Sequence, residues 1–303
     1  MPVLERSSAP HRLRDALSLP YNRKMAAILG LLMVVDLWLV NAAHLTGARV
    51  YLDIWPEILL LILCTAYAVY RPLPRIVVSC ELMFWAALLN NALSLLIQIA
   101  GRSPVPLLDR KLFAIDSALH FSTVYFVHLA AHAPVLHLIF LLSYPVIWPL
   151  VLATILFLPP LGHPEQARRF VLAATIATIL TAILFAACPA AGPWMVEGFP
   201  PAHDQAGITA YLERLKSSGP VALDIPDSAI VSFPSFHVAL ALITGWALHA
   251  FRRLRAPVWI LVVLICVSTV PTGWHYGTDV LAGAGVAVAS IAAASRLHRV
   301  EAG

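Results

Sequence analysis

Long apolar runs separated by short polar breaks dominate this chain. They lie at about Met25 to Leu45, Ile54 to Tyr70, Ile76 to Ala100, Val135 to Leu158, Phe170 to Cys188, Pro234 to Phe251, Pro257 to Pro271 and Tyr276 to Arg296. Most approach the roughly 20 residues that a helix needs to cross the hydrocarbon core, although the seventh is short. The pattern predicts an all-α, polytopic integral membrane protein of about eight transmembrane helices. A basic stretch precedes the first run, as in a secretory signal, but the run's length and the missing small-residue cleavage pattern favour a retained anchor.

Two longer connections interrupt the pattern. Residues 101–134 contain an amphipathic piece, Leu112 to His132, expected to lie along the interface. Residues 189–233 are rich in Pro, Gly and acidic side chains and read as an outer loop with a short helical piece at Tyr211 to Lys216. The expected organisation is therefore a cytoplasmic tail (1–24), two additional helices (25–75), a six-helix core (76–296) and a second tail (297–303).

Composition agrees with a membrane class. Hydrophobic residues make up 60% of the 303 and charged ones 12%, about half the charged fraction of a soluble domain. The net charge of +4 matters mainly through its placement. With eight crossings, Arg71, Arg75, Arg168, Arg169, Arg252, Arg253, Arg255, Arg296 and Arg299 share the side of the basic amino terminus, which the positive-inside rule assigns to the cytoplasm. Cys64, Cys80, Cys188 and Cys266 lie in or at the ends of apolar runs, without metal or disulfide-framework spacing. His120, His128, His132 and His137 have no carboxylate or cysteine to complete a ligand set, so no metal and no other cofactor is expected. Asn90, Asn91 and Gln98, polar at membrane depth, read as helix-packing contacts. Nothing suggests a nucleic-acid partner; composition points to the bilayer as the expected surrounding.

The chemistry concentrates near the last apolar run. His275 and Asp279 are one helical turn apart, a spacing at which a carboxylate can fix the imidazole's tautomer and raise its basicity. Pro234-Ser235-Phe236-His237 opens the sixth run, and with two intervening crossings His237 and His275 meet at one membrane face, the non-cytoplasmic one. A proline start would leave the Ser235 and Phe236 amides free at the positive end of a helix, an anion site suited to phosphate. His275 could then attack phosphorus while His237 protonates the leaving oxygen.

Pro-Ser-x-His at 234–237 followed by His-x-x-x-Asp at 275–279 resembles the second and third signatures of the type-2 phosphatidic acid phosphatase superfamily, which is related to the vanadium haloperoxidases. The resemblance covers about residues 76–296. It implies a six-helix catalytic core acting on a lipid phosphate or phospholipid, with His275 as nucleophile, Asp279 orienting it, His237 as general acid and Ser235 binding phosphoryl oxygens. Two departures stand out. The usual Ser-Arg is Ser268-Thr269, without the phosphate-binding arginine, and Cys188 to Trp194 replaces the usual lysine and Arg-Pro signature. These features are similar to the branch containing inositol phosphorylceramide synthase, an inositolphosphotransferase. That likeness implies transfer of a phosphorylated headgroup to a lipid hydroxyl rather than to water.

A transferring phosphoryl group still needs charge stabilisation. Arg102, Arg110, Lys111, Arg214 and Lys216 lie on the correct face, and Arg110 and Lys111 are preferred as substrate-binding residues because Asp109 and Asp116 beside them suggest an ordered unit. A plain lipid-phosphate phosphatase is an alternative. A non-catalytic lipid-binding or transport protein on the same fold is another.

Overall fold

The protein is described from a computed structural model that covers residues 20–48, 54–70, 73–223 and 230–302. Most of the first expected tail, Arg71 and residues 224–229 of the outer loop lie outside the described residues. The chain is an all-α, multi-pass membrane protein. Among the described residues, five apolar helical stretches are long enough to cross a bilayer: Pro20–Ala42 (α1), Pro74–Gly101 (α3), Pro134–Phe157, Pro164–Ala187 (α8) and the Gly277–Leu297 portion of α12, which runs to Ala302. Three shorter apolar helices complete the set expected from the sequence: α2 (Trp55–Tyr70), α10 (Phe236–Leu248) and α11 (Arg255–Ser268).

At the ends the boundaries differ from expectation. α1 begins at Pro20 rather than Met25, and α12 continues through the expected second tail. Lys24 donates to the Leu297 carbonyl, and this contact joins the two ends on one side of the bundle.

The third long stretch is interrupted. α6 (Pro134–Ser143) and α7 (Ile147–Phe157) flank a 3-10 turn at Tyr144–Val146. Pro145 has no N–H to donate, so regular helix bonding fails there, and Tyr144 sits at the break. α8 packs against α3, α10 and α12. Its inward positions include Ala167, Ala173, Ala177, Thr181 and Ala182, small side chains that let neighbouring backbones approach. At its first turn Arg168 pairs with Glu81 of α3 at 3.1 Å and Glu165 at 2.6 Å.

The amphipathic piece is two helices, α4 (Asp109–Ala118) and α5 (Thr123–Ala131), bent by 85° at the intervening turn. His120 takes a positive φ of 55° in that turn. The helix expected near Tyr211–Lys216 is longer, α9 at His203–Leu215. Tyr211, Leu212 and Leu215 are buried on one face of it, and the Gln205 side chain accepts from the Ala202 amide at its start. The apolar spacing of Ile208, Tyr211, Leu212 and Leu215 carries the signal for the longer helix. A two-residue parallel pairing, Leu45–Thr46 with Val221–Ala222, ties the end of α1 to the outer loop.

Candidate active site

The non-helical segment 230–235 delivers the chain into α10, which has 13 residues, about 20 Å. Ser235 caps it, accepting from the Val238 amide at 3.4 Å. The Ser235 amide donates to the Asp279 carbonyl at 3.0 Å, which joins α10 to α12. Gly283 makes that junction possible: a Cβ there would lie 2.3 Å from the Ser235 carbonyl oxygen. A Cβ at Gly277 would meet the Phe121 ring at 2.7 Å, whereas Gly285 has nothing within 4 Å.

His275, 3% exposed, precedes α12 and points its Nδ1 at two acceptors, the Ser232 carbonyl at 2.9 Å and Asp279 Oδ2 at 3.3 Å. Nδ1 therefore carries the proton, leaving Nε2 with its lone pair and no protein partner among the described residues. Asp279 Oδ2 also accepts from the Ser232 hydroxyl and the Tyr276 amide, both at 2.9 Å. Burial holds the His275 imidazole down to about pKa 4, against the opposing pull of the Ser232 carbonyl. The ring is accordingly neutral at physiological pH.

His237, in the first turn of α10, lies with its ring centroid 6.4 Å from that of His275. Its Nε2 is buried without a partner. Tyr144 stacks on the His237 ring at 4.1 Å and 17°, with Oη 3.3 Å from Nδ1. Near-parallel stacking brings the hydroxyl over the ring face rather than along the in-plane lone pair, so it orients the ring more than it fixes a tautomer. Both histidines line a cavity of about 250 Å³, whose walls include Tyr144, Trp148, Phe236 and Trp274. The Phe236 and His237 amides have no acceptor among the described residues.

Two expectations about this site change. Ser235 is fully buried and does not line the cavity; its amide and hydroxyl are engaged in joining α10 to α12, so the free amides are those of Phe236 and His237. Arg110 and Lys111 are not brought to the cavity either. Asp109, Leu112 and Asp116 form the inward face of α4, and at helical periodicity this turns positions 110 and 111 outward, where both are exposed.

The remaining cations are engaged elsewhere. Arg102 donates to the carbonyls of Leu215, Ser217 and Gly219, and Lys216 donates to those of Ser103 and Val105 at 2.9 and 2.7 Å. These bonds pin the outer loop to the end of α3. Arg214 lies over the Tyr211 ring. Among the described residues, no Lys or Arg lines the cavity.

Sequence reasoning missed the supporting residues. Asp116 accepts from the Gly277 and Thr278 amides at 2.6 and 2.9 Å, capping α12. Asp109 accepts from the Ala191 and Gly192 amides and from the Tyr276 hydroxyl. Tyr276 adjoins His275, so both carboxylates of α4 fix the turn that presents the imidazole. Ser232 was invisible because its main contribution is a carbonyl, which every residue has.

A second cavity of about 530 Å³, between α4, α5, α11 and α12, is almost wholly apolar, and its one carboxylate, Asp116, is already committed to α12. No group of three or more His, Cys, Asp or Glu suited to a metal occurs among the described residues.

A family model described as the PAP2 superfamily matches residues 110–293, more than half of the chain. The chain belongs to the PAP2 superfamily. Membership makes it a lipid-phosphatase-type membrane enzyme. The PAP2 match takes in α5 to α11, nearly all of α4 and most of α12, and it leaves α1, α2 and α3 outside. No curated protein and no solved structure matches the chain.

Proposed function

We propose that this PAP2 protein is a lipid phosphotransferase that works through a phosphohistidine on His275. The observation that carries the reading is the imidazole gripped at Nδ1 by Ser232 and Asp279, with Nε2 left free in a cavity shared with the unpartnered Nε2 of His237. In the first step Nε2 of His275 attacks the phosphorus of a lipid phosphoester or phosphodiester. The P–N bond forms as the P–O bond breaks, and the leaving oxygen takes a proton from His237. In the second step an acceptor hydroxyl gives its proton to His237 while its oxygen displaces His275 from phosphorus. Asp279 holds the ring and stabilises the positive charge it acquires.

Where other phosphoryl-transfer sites use Lys or Arg, the cavity offers backbone amides and an imidazolium. The Phe236 and His237 amides at the positive end of α10, joined by the proton on His237, face the developing charge. Aromatic walls keep bulk water scarce, which favours an acceptor arriving from the bilayer. The likeness of Phe-Pro-Ser-x-His and His-Tyr-x-x-Asp to the inositol phosphorylceramide synthase branch supports the same choice. Arg75, Arg168 and Arg169 lie at the end of the bundle opposite the cavity, where Arg75 donates to the Pro160 carbonyl. By the positive-inside rule the cavity then faces the non-cytoplasmic side.

The test supplies purified protein with a phospholipid donor and a second lipid bearing a free hydroxyl, then follows new phospholipid against free phosphate. New phospholipid should dominate. The protein should carry an acid-labile phosphoryl label that is missing from His275→Gln, and that variant should lose more than about 10³-fold in turnover. Free phosphate as the main product would make the enzyme a phosphatase. Full turnover by His275→Gln would overturn the mechanism.

A further inference from the structure

We propose that α1, α2 and α3 form a second binding site, for the primary ammonium group of a membrane amphiphile. The site stands apart from the phosphotransfer reading and outside the PAP2 match. Its centre is Asp36 of α1, 2% exposed, with neither carboxylate oxygen hydrogen-bonded among the described residues. The side chain lines a cavity of about 170 Å³ between α1 and α3, with Asn91 on the opposite wall. Asn91 Nδ2 donates to Glu57 Oε1 at 2.9 Å, and Glu57 Oε2 is also buried without a partner.

Polar atoms that serve only to pack helices are paired within the protein, as Asn91 Nδ2 and Glu57 Oε1 are with each other. Asp36 is not. An unpaired buried carboxylate costs several kcal/mol, whether it stays charged or gives up its charge. The chain's own cations on α1 are too far to help: Lys24 is about 18 Å away along the helix axis and donates to Leu297.

What the cavity presents is the pair of Asp36 oxygens as acceptors, with the Asn91–Glu57 pair beside them, in a net acidic setting. The complementary ligand is a cation with several N–H donors. A primary ammonium has three; an alcohol has one and a quaternary ammonium none. The cavity volume equals about five or six waters at about 30 Å³ each, enough for an ammonium group and its first carbons. Met33, Leu37 and Ile54 on its walls are 41%, 45% and 42% exposed, so the tail of an amphiphile can leave sideways into lipid. Asp36 lies in the second half of α1 and Glu57 in the first turn of α2, which puts the site in the leaflet that adjoins the histidine cavity.

The experiment uses the full chain in phosphatidylcholine nanodiscs and measures Tm against the mole fraction of dodecylammonium, dodecyltrimethylammonium or dodecanol. Dodecylammonium should raise Tm saturably, and the other two should need at least about tenfold more, if they act at all. Asp36→Asn should weaken the dodecylammonium response by at least about tenfold. Met33→Trp, which fills the cavity and keeps Asp36, should do the same and serves if Asp36→Asn fails to fold. Equal responses to the three amphiphiles, an unchanged response in both variants, or no response in the wild type would overturn the site. Phosphotransfer is not measured, so failure here leaves the His275 reading standing, and failure there leaves this one.

Discussion

Asp279 and Asp36 are both carboxylates inside the membrane bundle, 0% and 2% exposed, yet their surroundings are opposite. Asp279 Oδ2 receives the Ser232 hydroxyl, the Tyr276 amide and the His275 Nδ1 proton. Asp36 receives nothing from the described residues. In a low-dielectric interior a buried polar group is stabilising only when its partners are complete. Three donors converge on one oxygen of Asp279, which is enough to hold a neighbouring ring in place, while its Oδ1 is buried without a partner among the described residues. Asp36 has no donor on either oxygen among the described residues, which leaves it open to a ligand. Burial alone therefore does not distinguish a structural carboxylate from a binding one; the list of donors does.

Removing each carboxylate should show the difference most strongly. Asp279→Leu strands the Tyr276 amide and leaves the Ser232 hydroxyl and the His275 N–H with one acceptor each instead of two, and should cost about 1–3 kcal/mol of stability. Asp36→Leu strands no donor, and in amine-free phosphatidylcholine nanodiscs it should be neutral or stabilising by about 1–2 kcal/mol. Reversible unfolding of the two variants beside wild type measures both. Equal losses would erase the distinction between the sites.

The next effect is a pH dependence specific to the held imidazole. Burial lowers the His275 pKa from 6.5 to about 4. As pH falls below 6.5 the unfolded chain takes up a proton that the folded chain refuses, so stability drops through that interval and levels off below about pH 4. His275→Gln lacks this titration. The stability difference between wild type and His275→Gln should therefore shift against the wild type by about 2–3 kcal/mol between pH 7 and pH 4. A constant difference would mean that the His275 ring is not held neutral.

The eight apolar elements and the histidine pair were legible because hydrophobic length and helical spacing are properties of local sequence. His237, His275 and Asp279 were found as side-chain types at set intervals, together with the topology that returns the chain to one face. Ser232 was not legible, because it acts through a main-chain carbonyl placed by the 230–235 segment. Asp109 and Asp116 were noticed, but their partners, Tyr276 and the first amides of α12, lie some 160 residues away. Arg110 and Lys111 show the converse. Their charge and position suggested phosphate binding, but the inward turn of their acidic neighbours sends them to the exposed face. Asp36 carried no signal, since one aspartate in an apolar run looks the same whether or not its neighbours supply donors.

The smallest expected effect tests whether the backbone supports the His275 site as closely as its side chains do. Gly283 and Gly285 are both on α12, two residues apart, and only Gly283 faces the α10 junction. An alanine at 283 would press its Cβ against the Ser235 carbonyl oxygen, 2.3 Å away. That oxygen cannot easily retreat, because it accepts from the Ala239 amide at 3.1 Å while the Ser235 amide is tied to Asp279 at 3.0 Å. α12 must move instead, carrying Asp279 away from His275. Gly283→Ala should cost about 1–3 kcal/mol of stability and, because a 1 Å misplacement of reacting groups can cost about 10²-fold, should lower turnover by more than the stability loss alone explains. Gly285→Ala meets open space and should gain up to about 1 kcal/mol from helix propensity, with turnover unchanged. If both substitutions act alike on turnover, the close contact of α10 with α12 does not set the geometry of the His275 site, and its side-chain hydrogen bonds alone hold it.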